Sequence, residues 1–312
     1  MAEKRDASES DAPVVSVVVP AYNAEDTIGE CIESLLAQDY ARCRLEIVMV
    51  DNDSSDATAE IIKGYPVTYV LENKAHTSYA ARNAGVHAAR GELLAFCDAD
   101  EKADEHWLSA LVETLRKLGD SYGGVLGKVE YFAIEENAAT RFGLQEQARW
   151  RYADDTDVEE AATANVLYRR EVFEKLGGFD PAAQSGGDFH FSRRVVRELG
   201  LRIRHTFSAV THHPFHATLG VLMRHEARVA CGHEWYAREH DLPRRSLAGL
   251  LFGAATRTVR SLGAAALAAA QGLFSAPKRE KAKFIAIGWL LHLANTYGRI
   301  RFRRGKPVPR HW

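Results

Sequence analysis

Apolar and polar positions fall into alternating blocks along the first hundred residues. Val14-Val15-Ser16-Val17-Val18-Val19 is a β-branched run that stops at Pro20, the pattern of a strand buried on both faces, as in a parallel sheet. Glu25 to Gln38 follows, with Ile28, Cys31, Ile32, Leu35 and Leu36 at helical spacing. Leu45 to Val50 is a second apolar run, ending on Asp51-Asn52-Asp53-Ser54-Ser55-Asp56. A helix over Ala57 to Lys63, a third strand over Val67 to Leu71 and an Ala-rich helix over Ser78 to Ala89 come next. Leu93 to Cys97 is a fourth strand, ending on Asp98-Ala99-Asp100. This alternation predicts an α/β sheet with right-handed crossovers. Polar residues gather after the carboxyl ends of the strands, where open α/β sheets bind ligands, so the Pro20, Asp51 and Asp98 loops locate a site.

From Trp107 to about Val210 the pattern is mixed α/β, with a turn at Gly177-Gly178-Phe179-Asp180-Pro181, a flexible loop at Ser185-Gly186-Gly187 and a helix over Asp188 to Leu199. After about Pro243 the composition shifts to Ala, Leu, Gly and Arg, and Leu247 to Phe274 and Phe284 to Tyr297 read as two helices before a basic tail, Arg299 to Arg310. The expected division is a disordered leader over 1–13, a core domain over 14–240 and a helical region over 241–312. Leu247 to Phe274 has the length of a membrane span, but Arg257 and Arg260 interrupt it. Phe284 to Asn295 is too short to cross alone. Flanked by Lys278, Arg279, Lys281 and Lys283 and by the basic tail, these helices suit an interfacial anchor on anionic lipid. They equally suit a helical pair packed on the core, or a homodimer interface.

Composition narrows the classes. Of 312 residues, 46% are hydrophobic and 26% charged, which excludes a wholly disordered chain, a collagen and a disulfide scaffold. Lys and Arg number 40 against 42 Asp and Glu, a net charge of −2 that gives no global pull toward nucleic acid, and no nucleic-acid partner is expected. Cys31, Cys43, Cys97 and Cys231 form no CxxC pair and fit a reducing cytosol. Met1 to Pro13 has no apolar signal core. The expected location is cytoplasmic, peripheral at the inner face of the cell membrane on the anchor reading.

Asp98 and Asp100, at i and i+2 just past a strand, can face one hard cation, Mg²⁺ or Mn²⁺, shared with substrate phosphates; the alternative is a turn with solvated acids. Asp51 can accept from a base N–H or a ribose hydroxyl, or belong to a turn in which Asp56 caps the next helix. Asp188, after two glycines, is either a general base placed by loop ordering or a helix N-cap. His205, His212, His213, His216, His225 and His233 invite a zinc reading, but Cys231 is the one thiol near ligand spacing. A dehydrogenase is excluded because no GxGxxG follows the first strand, and Pro20-Ala21-Tyr22-Asn23 is not the loop of a nucleotidyltransferase.

Val17-Val18-Val19-Pro20-Ala21-Tyr22-Asn23, Ile47-Val48-Met49-Val50-Asp51-Asn52-Asp53-Ser54-Ser55-Asp56, Ala81-Arg82-Asn83-Ala84-Gly85 with Ala89 to Asp100, and Gly177-Gly178-Phe179-Asp180 with Gly187-Asp188 and Arg193 stand in the order of a family 2 glycosyltransferase. The chain resembles that family over roughly residues 14 to 215. The resemblance implies a GT-A fold, a Rossmann-like mixed sheet flanked by helices, here with a C-terminal helical appendage. It implies a single-sugar, inverting transfer from a nucleotide-diphospho-sugar, UDP-linked by family habit, to an acceptor hydroxyl, lipid-linked or on a cell-envelope glycan. By the same resemblance Pro20, Tyr22, Asp51, Arg82 and Asp98 bind the nucleotide-sugar, Asp100 holds the metal, and Asp188 is the catalytic base. His212 or His213 fits the place of a histidine that completes the metal site, with His212 preferred. Departures are Gly187 where an acid is common, His190 where a further acid is common, and Asp53 where Gly is common. Gln147-Ala148-Arg149-Trp150 is one residue short of the motif of processive members and precedes Asp188. A non-catalytic nucleotide-sugar-binding module is the alternative.

Overall fold

The computed structural model describes residues 12–148, 152–215, 218–240, 242–244, 246–256, 258 and 276–306, those at 276–281 by backbone alone. The leader up to Asp11, the Arg149-Trp150 pair, Arg257, Arg260 and the end of the basic tail lie outside the described residues. The chain divides into two units: Met1–Tyr131, Tyr152–Ala182 and Gly187–Pro214 form one, and Phe132–Arg151, Ala183–Gly186 and Phe215–Trp312 the other.

The first unit is built on a mixed sheet. Its parallel half comprises β1 (Val15–Ala21), β2 (Leu45–Asp51), β3 (Thr68–Leu71) and β4 (Leu93–Cys97). The other strands are β5 (Lys102–Ala103), β6 (Tyr122–Ala133), β7 (Thr156–Val158), β8 (Asn165–Arg169) and β9 (Arg202–Phe215). The order is β3-β2-β1-β4-β8-β6-β9-β5, with β7 also on β9. β1 pairs parallel with both β2 and β4, whereas β8 runs antiparallel to β4 and β6. β1 and β4 are buried along nearly their whole length, as continuous apolar runs require when both faces are covered. β1 continues past Pro20 to Ala21, whose carbonyl accepts from Asn52 N (2.8 Å), so the missing proline N–H costs little at the end of the ladder.

The chain leaves β1 for β2 and β3 on one side and returns to β4 on the other. The carboxyl ends of β1 and β4 therefore flank a topological switch point, and Asp98 begins there.

Helices α1 (Ile28–Leu36), α2 (Thr58–Lys63), α3 (Ser78–Ala88), α4 (Trp107–Leu118), α6 (Arg170–Leu176) and α7 (Gly187–Arg197) belong to this unit, and α5 (Ala138–Gln147) to the other. α3 lies on β1 and β2 at Gly85, where an added Cβ would stand 2.4 Å from Val18 Cγ1 and 2.9 Å from Val50 Cγ2. Asn83 on the same helix locks the Gly-Gly-Phe-Asp turn: its Nδ2 donates to Phe179 O (2.8 Å) and its Oδ1 accepts from Phe179 N (2.9 Å). Phe179 thereby joins Phe96, Phe173 and Phe191 in an aromatic cluster with centroid separations of 4.5–5.7 Å.

The second unit holds α5, α8 (Leu219–Glu239), the helical stretch α9 (247–256) and α10 (Ala276–Arg303). α10 is longer than the apolar pattern predicts at both ends. Its basic end is held on α8: Glu234, 1% exposed, accepts from Arg299 (Nη1–Oε1 3.0 Å) and Arg303 (Nε–Oε2 2.7 Å). These two arginines of the basic tail are therefore committed to Glu234. Among the described residues no helix is long and apolar enough to cross a membrane.

Two stability predictions follow from this packing. Gly85→Ala should cost about 2 kcal/mol in chemical denaturation, because rigid β-branched side chains of two central strands must give way. Burial raises the Glu234 carboxyl, but hydrogen bonds from Arg303 and Arg299 outweigh that and hold it below the usual glutamate range. Its stabilisation is thus complete above the unfolded value of about 4.3 and is lost as pH falls through the lower folded value. Glu234→Gln should destabilise the helical unit at neutral pH by roughly 1–3 kcal/mol, the low end reflecting solvent screening, and should flatten its acid unfolding limb.

Candidate active site

Three loops meet the switch point. After β4 the chain places Asp98, Asp100 and the fully buried Glu101 within four residues. Three carboxyl groups this close cannot all ionise cheaply, and each is handled differently. Asp98, a third exposed, takes an ion pair from Arg82 of α3 (Nη2–Oδ1 2.5 Å), itself 4% exposed. Burial pushes the Asp100 carboxyl up, against the pull of His213 and with a further push from Asp98. Burial and then the charge of Asp98 push the Glu101 carboxyl well above the usual range. Glu101 Oε2 accepts from Asp98 N (3.1 Å) and fixes the turn.

His213, on β9, completes the group. Ligand atoms of Asp98, Asp100 and His213 lie within 4.8 Å of one another, and His213 Nε2 stands 3.6 Å from Asp100 Oδ1. His213 Nδ1 bonds to Pro214 O (2.9 Å), which puts the proton on Nδ1 and leaves the Nε2 lone pair to ligate. Its ring packs at 5.2 Å on Tyr131, whose phenol is pushed up by burial and by the nearby carboxylates. Two carboxylates and an imidazole form a donor set that fits a divalent cation such as Mn²⁺ or Mg²⁺.

The preferred histidine of the sequence reading, His212, is not in this group. Successive side chains on a strand face opposite ways. With Lys102 paired to His212 in the β5–β9 ladder, His212 turns to Asp104 (Nε2–Oδ1 2.7 Å) and toward Glu130 (3.8 Å). His213 takes the place by the metal candidates instead.

Asp51, 2% exposed at the end of β2, accepts from Ser54 N (3.0 Å) and Tyr69 Oη (3.1 Å). Burial and that bond push the Tyr69 phenol to about 12, so it remains a donor. Pro20 and Tyr22 lie half-buried beside it, at the end of β1 and in the following loop. That loop interlocks with the Asp51 loop, Asn23 Oδ1 accepting from Ser55 N (2.8 Å) and Asn23 N donating to Ser54 Oγ (3.0 Å). Asp53 takes φ +63°, the left-handed conformation that explains why Gly is common there.

Asp188 opens α7 half-buried, and it does not behave as a free cap. Tyr79 Oη donates to its Oδ1 (3.0 Å), Phe189 N donates to Oδ1 (3.0 Å) and Thr163 N donates to Oδ2 (3.3 Å). Tyr79 lies under the Arg82 guanidinium, 5.8 Å from its ring centroid. A continuous chain of contacts thus joins Asp98, Arg82, Tyr79 and Asp188. The sequence reading missed Tyr79; the available signal was its position three residues before Arg82, on the same helical face.

The fold is similar to that of the mannosyltransferase PcManGT from Pyrobaculum calidifontis, solved in complex with GDP-Man and Mn²⁺, with a TM-score of 0.63 at 21% identity over 94% of this chain and 88% of that one. This is the architecture of GT-A glycosyltransferases. The glycosyl transferase family 2 model matches residues 16–177, and the chain belongs to that family. It is 30% identical over 235 residues to glycosyltransferase AglE of Haloferax volcanii, spanning 72% of this chain and 74% of AglE. It is 23% identical over 198 residues to the dolichyl N-acetyl-alpha-D-glucosaminyl phosphate 3-beta-D-2,3-diacetamido-2,3-dideoxy-beta-D-glucuronosyltransferase of Methanococcus voltae, spanning 59% of this chain and 62% of that protein. The chain is a glycosyltransferase.

The donor set yields a discriminating test. In calorimetric titration with Mn²⁺, His213→Ala and Asp100→Ala should each weaken binding at least about tenfold, whereas His212→Ala should leave it unchanged.

Proposed function

We propose that the chain transfers one sugar, with inversion, from a nucleotide-diphospho-sugar to an acceptor hydroxyl. The observation that carries this reading is the Asp98–Asp100–His213 group at the switch point, backed by Arg82. Asp98, Asp100 and His213 would hold a divalent cation, which supplies Lewis-acid stabilisation of the departing diphosphate. Arg82 adds a fixed positive charge next to that site, and its buried Nε has no protein partner among the described residues. Asp51 offers buried carboxylate oxygens toward the base or ribose, with Pro20 and Tyr22 beside it.

Asp188 is the base of this reading. It takes the acceptor hydroxyl proton as that oxygen forms its bond to the anomeric carbon and the bond to the diphosphate breaks. The Tyr79 phenol, pushed up chiefly by burial and further by Asp188, stays protonated and fixes one carboxylate oxygen. UDP is the nucleotide expected by family habit, and the GDP-Man bound by PcManGT makes GDP-sugars the second donors to try.

A lipid-linked acceptor is supported by the dolichyl-linked name of the Methanococcus voltae relative. Peripheral membrane contact is supported by exposed Leu247, Leu251 and Phe252 on α9, the last 72% exposed.

Asp188→Asn removes the proton acceptor while keeping size and shape. Single-turnover assays on a panel of nucleotide-sugars with Mn²⁺ should show turnover reduced about 10²–10⁴-fold with donor affinity unchanged. Wild-type protein that binds a donor yet turns over no acceptor, with Asp188→Asn indistinguishable from it, would favour a non-catalytic binding module.

A further inference from the structure

The loop that leads into Asp188 is seated on α8. Ala183–Gly186 belongs to the second unit together with that helix, and the chain on either side of the loop belongs to the first. Before the loop, Thr77 Oγ1 donates to Pro181 O (2.9 Å). After it, Asp188 is held by Tyr79, by Phe189 N and by Thr163 N. Between these anchors Ser185 lies against Gly232 of α8. A Cβ added at Gly232 would stand 2.9 Å from Ser185 C and Ser185 Cβ, and closer still to Ser185 O.

Glycine is a poor residue for a helix interior on propensity alone, so a buried glycine there marks a contact that outweighs helix preference. The group Gly232 makes room for is a backbone carbonyl, which cannot swing aside as a side-chain tip can. Gly186 then takes φ +74°, a left-handed turn that L side chains rarely adopt, and Gly187 opens α7. Asp188 follows directly, so this short link passes any shift of Ser185 on to the carboxylate. α8 is itself braced by α10. A Cβ added at Gly298 would stand 2.9 Å from Ala227 C and Cα, Cys231 Sγ donates to Gly298 O (3.2 Å), and Glu234 is held by Arg299 and Arg303.

We propose that Gly232 is a positioning residue for Asp188: by admitting the Ser185 carbonyl against α8 it sets the loop, through the turn at Gly186, so that the Asp188 carboxylate stands where Tyr79 and the acceptor hydroxyl meet it. The effect on sugar transfer rests on Asp188 being its base; the placement of Asp188 does not.

Two amides report the place of Asp188 with no ligand added. Phe189 N lies in the first turn of α7, where a helix offers no partner of its own, and both it and Thr163 N bond to the Asp188 carboxylate. In amide hydrogen exchange on the full-length protein, Gly232→Ala should speed both about tenfold or more, while Ser54 N, bonded to Asp51, keeps its rate. Gly220→Ala, near the start of α8 with nothing closer than 3.4 Å to the added Cβ, should change none of the three. Gly186→Ala puts an L side chain into the left-handed turn and should act as Gly232→Ala does; it carries the test if thermal melts show that Gly232→Ala does not fold. Unchanged exchange at Phe189 and Thr163 in whichever variant folds, or equal acceleration at Ser54, would overturn the proposal. Single-turnover assays on the panel of nucleotide-sugars with Mn²⁺ give the catalytic readout. Gly232→Ala should lower turnover about tenfold to hundredfold with donor affinity unchanged, and should cost nothing further in the Asp188→Asn background. An equal cost in both backgrounds would overturn the positioning role. Faster exchange at the two amides with undiminished turnover would uphold the placement and overturn Asp188 as the base.

Discussion

The ion pair between Arg82 and Asp98 is the interaction on which the site depends. A buried strand that ends in Asp98, Ala99, Asp100 and Glu101 concentrates negative charge where solvent is scarce. Without compensation the loop would protonate or unfold. Arg82 compensates Asp98, His213 opposes the upward push on Asp100, and burial together with Asp98 pushes the Glu101 carboxyl up. Arg82 can do this because α3 is pressed onto β1 and β2 through Gly85, a contact with no room for a side chain. The Asn83 clamp on Phe179 ties the aromatic cluster to the same helix. The sequence blocks that look like separate motifs are therefore one mechanical assembly, with the charge balance at its centre.

The parallel half of the sheet was legible because its strands are buried on both faces and read as unbroken apolar runs. β4 begins and ends where the pattern places it, and β2 extends one residue further, to Asp51. The antiparallel half was less legible. β5 has two residues and β7 three, too few for any periodicity, and the alternation of β6 and β9 is blurred where buried and partly exposed positions mix. The fold class followed from the first half alone, since the order of strands and helices there leaves few topologies open.

Site residues divided by the range of their contacts. Asp51, Asp98 and Asp100 were visible because each closes or follows a strand. The choice between His212 and His213 depended on the register of β5 against β9, which adjacent residues of one sequence cannot reveal. Tyr79 shares a helical face with Arg82, but its partner Asp188 is 109 residues away and the spacing alone does not reveal that bond. Arg299 and Arg303 read from the sequence as part of a basic tail because their partner Glu234 lies more than 60 residues earlier.

One helix bears residues that serve different parts of the catalytic unit. Tyr79, Arg82, Asn83 and Gly85 face an acid on α7, an acid after β4, the turn before Pro181 and the valines of two strands. Adding or deleting one residue before Tyr79 would turn all four by about 100° around the helix axis if the helix held its place. α3 therefore acts as an indexing pin: its length and rotational setting are constrained together, and drift can proceed by substitution on its outer face but not by change of register.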